Sequence, residues 1–149
     1  MIKLMQQIEK RVRKNIRINK LIQRNDKLLV IGDIPKLFLE RIIKDPTIKM
    51  FFRKSINKDF IKKNKIKKII TDYCLDDKIH DRLESFLDNS QKKKPLNYVN
   101  VFNVILAEDM LEIAKINNLS FVREKNEINL FLDKLEEKHK GSKYSFAKW

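Results

Sequence analysis

Apolar and basic residues alternate with a helical period along the first part of the chain. From Ile2 to Gln23 the apolar positions recur every three to five residues, at Met5, Ile8, Val12, Ile16 and Leu21. That spacing places them on one face of a helix. Much of the remaining surface is cationic, with Lys10, Arg11, Arg13, Lys14, Arg17 and Lys20. This surface is either a solvated face or a track for a phosphate backbone, and the density of arginines favours the second.

The stretch from Gln23 to Leu39 predicts a turn, a short strand, a tight loop and an amphipathic helix. Asn25 and Asp26 are typical of the turn. The segment 27–31 is apolar almost throughout, which predicts a strand buried on both faces, as in a parallel sheet. Nucleotide-binding α/β domains open in this way, and they hold phosphates at the loop and at the N-terminus of the following helix.

The loop itself is poorly suited to phosphate. It contains one glycine, Gly32, followed by Asp33, Ile34 and Pro35. A phosphate cradle needs several free backbone N–H groups, and glycines let the ligand approach them closely. Proline lacks an N–H group, and the aspartate adds negative charge where an anion would bind. The sequence therefore predicts the scaffold of a nucleotide site with a damaged loop.

The rest of the chain alternates between the two kinds of element. Strands are predicted at Lys67–Tyr73, Val99–Leu106 and Leu119–Val122, and Thr47–Phe52 fits a strand or a helix equally well. Helices are predicted at 36–44, 57–64, 77–89, 107–117 and 127–138, with 74–77 as a loop. We expect an α/β fold, a small Rossmann-like, mostly parallel sheet flanked by helices. Residues 1–24 form a basic N-terminal helix and 25–149 a single domain.

Charge narrows the classes of partner. The 149 residues include 34 Lys and Arg against 20 Asp and Glu, a net charge of +14. A polyanion, RNA above all, fits that field, while a solvated lysine-rich surface and an anionic membrane surface are the alternatives. No apolar run approaches the roughly 18 residues of a membrane span, and the N-terminus does not read as a secretory signal. We expect a cytoplasmic protein with no membrane partner.

Few residues suggest catalytic or metal chemistry. Cys74 is the only cysteine, which excludes an internal disulfide and a cysteine-based zinc or iron–sulfur site. As a lone cysteine at a strand end, it is either a nucleophile or, more commonly, a small buried residue. His80 stands near Asp76, Asp77 and Asp81, either as a ligand cluster or as a polar helical turn, and the second is favoured. The sequence predicts no metal site and no catalytic residue.

Three segments together resemble one family, the PP-loop ATPases that thiolate tRNA. Ile8–Val30 (IEKRVRKNIRINKLIQRNDKLLV) is similar to the family's basic lead-in helix and first strand. Ile69–Leu87 (IITDYCLDDKIHDRLESFL) is similar to its ATGHNLDD segment. Residues 94–99, 106–122 and 126–145 resemble its C-terminal part, which ends in an E..hPG.ky pattern. The resemblance implies an adenine-nucleotide α-hydrolase-like fold and a place in tRNA thiolation.

The departures from the family pattern are as informative. The SGGKDS loop falls on residues 33–38, which read DIPKLF, so only Lys36 matches. The first and second segments are about forty residues apart where the family has roughly a hundred, and the family's cysteines are missing. The sequence leaves open whether this spacing is a genuine deletion. Lys36, Asp76 and Asp77 remain as a vestigial nucleotide site, although both acids are equally explained as helix N-terminal residues.

The favoured interpretation is a degenerate, non-catalytic relative of the tRNA thiolation enzymes. It would bind tRNA through Arg11, Arg13, Lys14, Arg17, Lys20, Lys92, Lys93 and Lys94. It would pair with an active PP-loop paralogue or with itself, and it would need no cofactor. The first alternative is a reduced ATP- and magnesium-dependent tRNA-modifying enzyme. The second is a small structural protein of a ribonucleoprotein, for which the aromatic tail of Tyr144, Phe146 and Trp149 is either an anchor or folded back on the core.

Overall fold

The computed structural model describes residues 2–88, 97–121 and 127–147. Helices and strands alternate over residues 2–88, as the sequence predicts, and the elements described after residue 88 are all helices. In chain order they are α1 (Ile2–Asn19), β1 (Lys27–Ile31), α2 (Asp33–Ile42), β2 (Lys49–Arg53), α3 (Lys58–Lys63), β3 (Lys68–Ile70), α4 (Leu75–Asp88), α5 (Ala107–Ile116), α6 (Glu127–Lys138) and α7 (Ser142–Ala147). Among the described helices, none combines the length and the apolar character needed to cross a membrane.

The described strands form one parallel sheet in the order β2-β1-β3. Leu28 at the centre lies opposite Met50 of β2 and Lys68 of β3. Parallel strands need crossover connections. Helix α2 lies in the connection from β1 to its neighbour β2, and α3 lies in the connection from β2 to β3 on the other side of β1. The α/β fold with a Rossmann-like parallel sheet is therefore confirmed, and the ambiguous stretch 47–52 is resolved as a strand.

The central strand is buried on both faces, as its continuous apolarity predicts. Leu28, Leu29 and Val30 have no exposed surface. Leu28 and Val30 face a core that includes Ile8 and Val12 of α1 together with residues of α2 and α5. Leu29 faces the opposite side, a smaller cluster that includes side chains of α3 and β3. Helix α1 thus covers one face of the sheet, and its cations lie on the outer side.

The prediction of a strand at Val99–Leu106 is wrong. One parallel bridge joins Tyr98 to Ile69, and the chain then runs through bends and turns, with the Ile105 N–H donating to the Phe102 carbonyl at 3.0 Å. The apolar residues that suggested a strand fill the core instead. Val101, Phe102 and Ile105 are fully buried. A buried segment needs apolar side chains whether its backbone forms turns or a strand, so the apolar composition alone did not specify a strand.

Other boundaries also move. The predicted strand at Leu119–Val122 is not formed in its described part, 119–121. The strand predicted at Lys67–Tyr73 is shorter in the structure, where it is β3 at Lys68–Ile70. The segment 75–77, predicted as a loop, is the first turn of α4, because the Asp77 carboxylate accepts the Cys74 N–H at 3.0 Å and closes the helix start. The helices at 107–116 and 127–138 match their predictions closely.

The described part of the aromatic tail folds back on the protein. It forms α7, and Tyr144 and Phe146 pack against a cluster of Leu75, Ile79 and Leu132 from α4 and α6, completed by Leu106. Trp149 lies outside the described residues. The packing uses the two described aromatic side chains internally, which removes much of the apolar surface that an external anchor would need.

Candidate functional site

A cleft of about 490 Å³ opens at the carboxyl edge of the sheet. It lies where β1 and β2 end and α2 begins, the place at which α/β folds commonly bind ligands. Its walls combine cations, two aromatic rings and short polar side chains. The lining residues are Gly32, Asp33, Lys36, Phe52, Arg53, Lys54, Ser55, Asn57 and Phe60. Of the three residues predicted as a vestigial nucleotide site, Lys36 lines this cleft, whereas Asp76 and Asp77 do not.

The loop at the mouth of α2 has few free donors. Gly32 has a φ of 104°, a conformation that favours glycine, and its N–H donates to the Arg53 carbonyl at 3.4 Å. The Asp33 carboxylate accepts the Ser120 N–H at 2.9 Å, which ties the loop to the segment after α5. Pro35 has no N–H to offer. The Lys36 N–H donates to the Gly32 carbonyl at 3.4 Å, so three of the five positions 32–36 offer no free backbone N–H. This agrees with the sequence argument that the loop is a poor phosphate cradle.

Cationic side chains are the cleft's remaining means of holding an anion. The Lys36 Nζ lies 5.6 Å from the centre of the Phe52 ring. The Arg53 guanidinium carbon lies 4.2 Å from the centre of the Phe60 ring. Each ring face holds its cation weakly and leaves hydrogen-bond donors available. The cleft can therefore attract a phosphate through side-chain charge, with less directional control than backbone donors provide.

The two predicted acids are used within the protein. Asp76 is almost fully buried, and its carboxylate accepts hydrogen bonds from the Lys143 ammonium at 2.6 Å and from the Ala107 N–H at 2.9 Å. Asp77 closes the start of α4 on the Cys74 N–H. The contact of Asp77 is that of a helix-terminal residue, whereas the contacts of Asp76 join α4 to α5 and α7.

One acidic residue of this edge was missed by the sequence reasoning. Asp72 follows β3, is partly buried, and has a carboxylate oxygen 3.9 Å from the position that a Cβ on Gly32 would occupy. Burial and the neighbouring charge of Asp77 raise the pKa of Asp72. Its position could have been found from the rule that residues just after parallel strands meet at one edge. The carboxylate makes the β3 side of the edge less favourable for anions.

The predicted RNA-binding cations of α1 are exposed but do not form one patch. Arg11 turns towards α7, donates a hydrogen bond to the Tyr144 hydroxyl and lies 5.3 Å from the centre of that ring. Arg13, Arg17 and Lys20 line a groove between α1 and the end of α2. Lys14 is exposed on the same helix. Lys92, Lys93 and Lys94 lie outside the described residues.

The surroundings of the cysteine and of the histidine differ. Burial, followed by the charge of Asp77, raises the pKa of the Cys74 thiol, so the nucleophilic thiolate is disfavoured. His80 lies in one helical turn with Asp81 and Glu84, with its Nδ1 3.8 Å and 3.5 Å from their respective carboxylate oxygens. The Tyr73 hydroxyl donates to Asp81 at 2.6 Å. These contacts fit the polar helical turn favoured from the sequence. The ligand atoms of His80, Asp81 and Glu84 also lie within 4.8 Å of one another, which fits the alternative of a ligand cluster.

Comparison with known proteins gives a match in fold but none in sequence. The sequence matches no protein-family model and no curated protein. Among solved structures, the fold matches the U34-tRNA thiolase NcsA from Methanococcus maripaludis, which was determined with its 4Fe–4S cluster. The TM-score is 0.70 at 14% sequence identity, and the match covers 97% of this chain and 76% of that one.

The chain has the fold of a tRNA thiolase. The family resemblance read from the sequence is thereby supported at the level of the fold. The residues do not fit the neighbour's iron–sulfur cluster, however. Such clusters are held mainly by cysteine thiolates, and this chain has Cys74 alone, buried and bonded to Asp77. The scaffold is shared, whereas the ligands for that cofactor are not present in this sequence.

Proposed function

We propose that this protein is a non-catalytic, tRNA-binding relative of the tRNA thiolation enzymes. In this proposal it acts in the cytoplasm as the partner of an active paralogue in wobble-uridine thiolation. The observation that carries the proposal is the combination of a thiolase fold over 97% of the chain with a first loop that has lost its phosphate donors. The scaffold for RNA binding is retained, and the machinery for activating the base is not.

The charge distribution supports tRNA as the ligand. A net charge of +14 on 149 residues creates a field that attracts polyanions. Exposed cations run along the outer side of α1, which is anchored to the core by Ile8 and Val12 and so presents them on a fixed helix. Contacts of this kind go to phosphates and bind without reading sequence. The choice among tRNAs would then come from shape or from the partner.

Two features support a non-catalytic role. Adenylation of a base requires triphosphate, magnesium and base to be held together, and the loop around Gly32, Asp33 and Pro35 provides few donors for the triphosphate. Sulfur transfer through a cluster or a persulfide requires reactive cysteines, and Cys74 is buried with a raised pKa. A chain with these properties contributes to thiolation by supplying RNA affinity to an active subunit.

The direct test is recovery of the native protein from its own cells, with bound RNA sequenced and bound proteins identified. The proposal predicts enrichment of tRNA together with a PP-loop paralogue that retains the SGGKDS loop. Recovery of tRNA without such a paralogue would contradict the partner role, and recovery of neither would contradict the proposal as a whole. A variant with Arg13, Arg17 and Lys20 changed to Glu serves as the matched control for the RNA contacts.

The cleft favours one alternative, a reduced ATP-dependent enzyme. Lys36, Arg53 and Lys54 place three cations around a space of about 490 Å³ at the usual ligand position of the fold. Side-chain charge would have to replace the lost backbone donors. Titration with ATP and magnesium distinguishes this alternative, since the non-catalytic proposal predicts no saturable binding there.

A further inference from the structure

A groove separates the second half of α1 from the end of α2, on the side of the molecule away from the carboxyl-edge cleft. It has a volume of about 440 Å³. Its floor is aliphatic and is formed by Ile16, Ile22, Ile42 and Ile43. All four pack partly against the main core and remain partly exposed. An aliphatic floor left open to solvent is favourable for apolar side chains from another molecule.

The rim of the groove is cationic on the α1 side. Arg13 and Arg17 lie one helical turn apart on α1, and Lys20 follows the last helical residue, Asn19. All three line the groove. Arg13 lies 4.0 Å from Glu9, which also pairs with Arg41. No acid lines the described groove itself, so the wall attracts negative charge. Floor and rim together select a partner that is apolar on one side and acidic on the other.

We propose that this groove binds an acidic amphipathic helix of a partner protein. The partner's aliphatic side chains fill the isoleucine floor, and its carboxylates pair with Arg13, Arg17 and Lys20 along the rim. A helix with apolar residues at positions i, i+3, i+4 and i+7 has the shape and the charge that the groove complements. The rim cations are also part of the proposed tRNA surface, so the helix and tRNA would compete for them. The isoleucine floor distinguishes the two ligands, because RNA phosphates need the cations alone.

Two other anionic partners fit less well. Unpaired RNA bases are held mainly by stacking on aromatic rings, with arginine planes as a second surface. The floor offers four isoleucines and no aromatic ring, so stacking would depend on Arg13 and Arg17 of the rim alone. Binding to a lipid surface requires apolar side chains that protrude into the lipid, whereas these isoleucines are partly buried against the core. Protein side chains are small enough to enter the groove, and they supply both the apolar and the acidic groups.

The test uses a fluorescent reporter on the groove. Gln23→Cys introduces an exposed thiol at its edge, and an environment-sensitive dye labels it selectively because Cys74 is buried. The probe is a designed helical peptide of about 14 residues, four turns, with leucines at i, i+3, i+4 and i+7 and glutamates elsewhere. A peptide of the same composition in scrambled order controls for charge. A single-stranded RNA of equal charge tests the nucleic-acid alternative.

The expected result is a saturable blue shift with the amphipathic peptide and binding about tenfold weaker with the scrambled one, a difference of about 1.4 kcal/mol. Ile42→Gln on the floor should weaken peptide binding by a similar factor. Ile18→Gln is the matched control, since Ile18 is 60% exposed on α1 and does not line the groove. If Ile42→Gln unfolds, as circular dichroism will show, Ile43→Gln and Ile22→Gln take its place.

Three outcomes would overturn the proposal. Equal affinity for ordered and scrambled peptides would show that charge alone is recognised. An unchanged affinity in folded floor variants would show that the isoleucines are not contacted. Tighter, floor-dependent binding of the RNA would assign the groove to nucleic acid. Because tRNA affinity is expected to be unaffected by Ile42→Gln, failure here is distinguishable from failure of tRNA binding.

Discussion

The ammonium group of Lys143 lies 2.6 Å from the Asp76 carboxylate, and both side chains are only 2% exposed. This contact joins α7 to the first turn of α4. Asp133 of α6 adds a second carboxylate oxygen at 2.7 Å, and the charge of these two acids outweighs burial and raises the pKa of Lys143. The ion pair accounts for the position of the terminal helix.

Lys143→Met is predicted to destabilise the fold strongly. The substitution leaves Asp76 buried with the Ala107 N–H and without its cation, and breaking a buried pair on one side costs about 3–5 kcal/mol. Urea unfolding measures the change. Lys138→Met, on the exposed end of α6, is the matched control and should change stability by less than about 0.5 kcal/mol. Similar losses in both variants would contradict the assignment.

Asn15→Ala is predicted to loosen the turn segment that replaces the expected strand. The buried Asn15 amide donates to the Val101 carbonyl and to the Asn103 side chain, each at 3.1 Å. Its removal leaves a buried carbonyl with one fewer donor, at a cost of about 1–3 kcal/mol. Lys14→Ala, one residue away and exposed, should have little effect in the same unfolding experiment. Equal effects would mean that the amide is not a structural link.

Asp72→Asn is predicted to stabilise the protein at neutral pH. Burial and the charge of Asp77 raise the pKa of Asp72, so its ionised form is favoured in the unfolded chain. Stability is therefore lost as the pH rises from below the ordinary carboxyl pKa of about 4 through the raised folded value. The asparagine variant should raise the urea midpoint at pH 7 and leave it almost unchanged at pH 3. A lower midpoint at pH 7 would show that the carboxylate has a favourable partner.

ATP with magnesium is predicted to give no saturable heat in calorimetry. The loop at Gly32 offers few free N–H groups, and the Asp33 carboxylate lies beside it, tied to Ser120. A one-site isotherm that disappears in Lys36→Ala would contradict this prediction and favour the reduced enzyme. Lys62→Ala, an exposed lysine on α3 that does not line the cleft, controls for general loss of charge.

The sequence predicted the parts of the fold that local patterns determine. The apolar run of β1 and the helical periods of α5 and α6 specify their elements directly, and the altered loop at Gly32 was apparent from residue types alone. The family resemblance, carried by short segments, matches the fold found by structural comparison at 14% identity. Each of these features depends on neighbours in sequence.

Features that depend on distant contacts were not predicted. The segment 99–106 has the composition of a strand, but it packs through turns because Asn15 and Phe38 of other helices meet it. Nothing in the local sequence distinguishes Lys143 from the other lysines near it, and only the meeting of α4, α6 and α7 buries it. Asp72 lies near Gly32 at the carboxyl edge because β3, which precedes it, pairs with β1 in the sheet. Such relations arise from packing, which residue periodicity does not encode.

The salt dependence of tRNA binding tests the central claim most directly. A variant with Lys14, Arg17 and Lys20 changed to Gln is compared with one in which Lys62, Lys63 and Lys115, also exposed, are changed to Gln. Each phosphate contact contributes about 0.7–0.9 to the slope of log affinity against log salt. The account predicts a slope smaller by about two in the α1 variant and an unchanged slope in the other. Equal slopes in both variants, or no measurable tRNA affinity in the native protein, would contradict it.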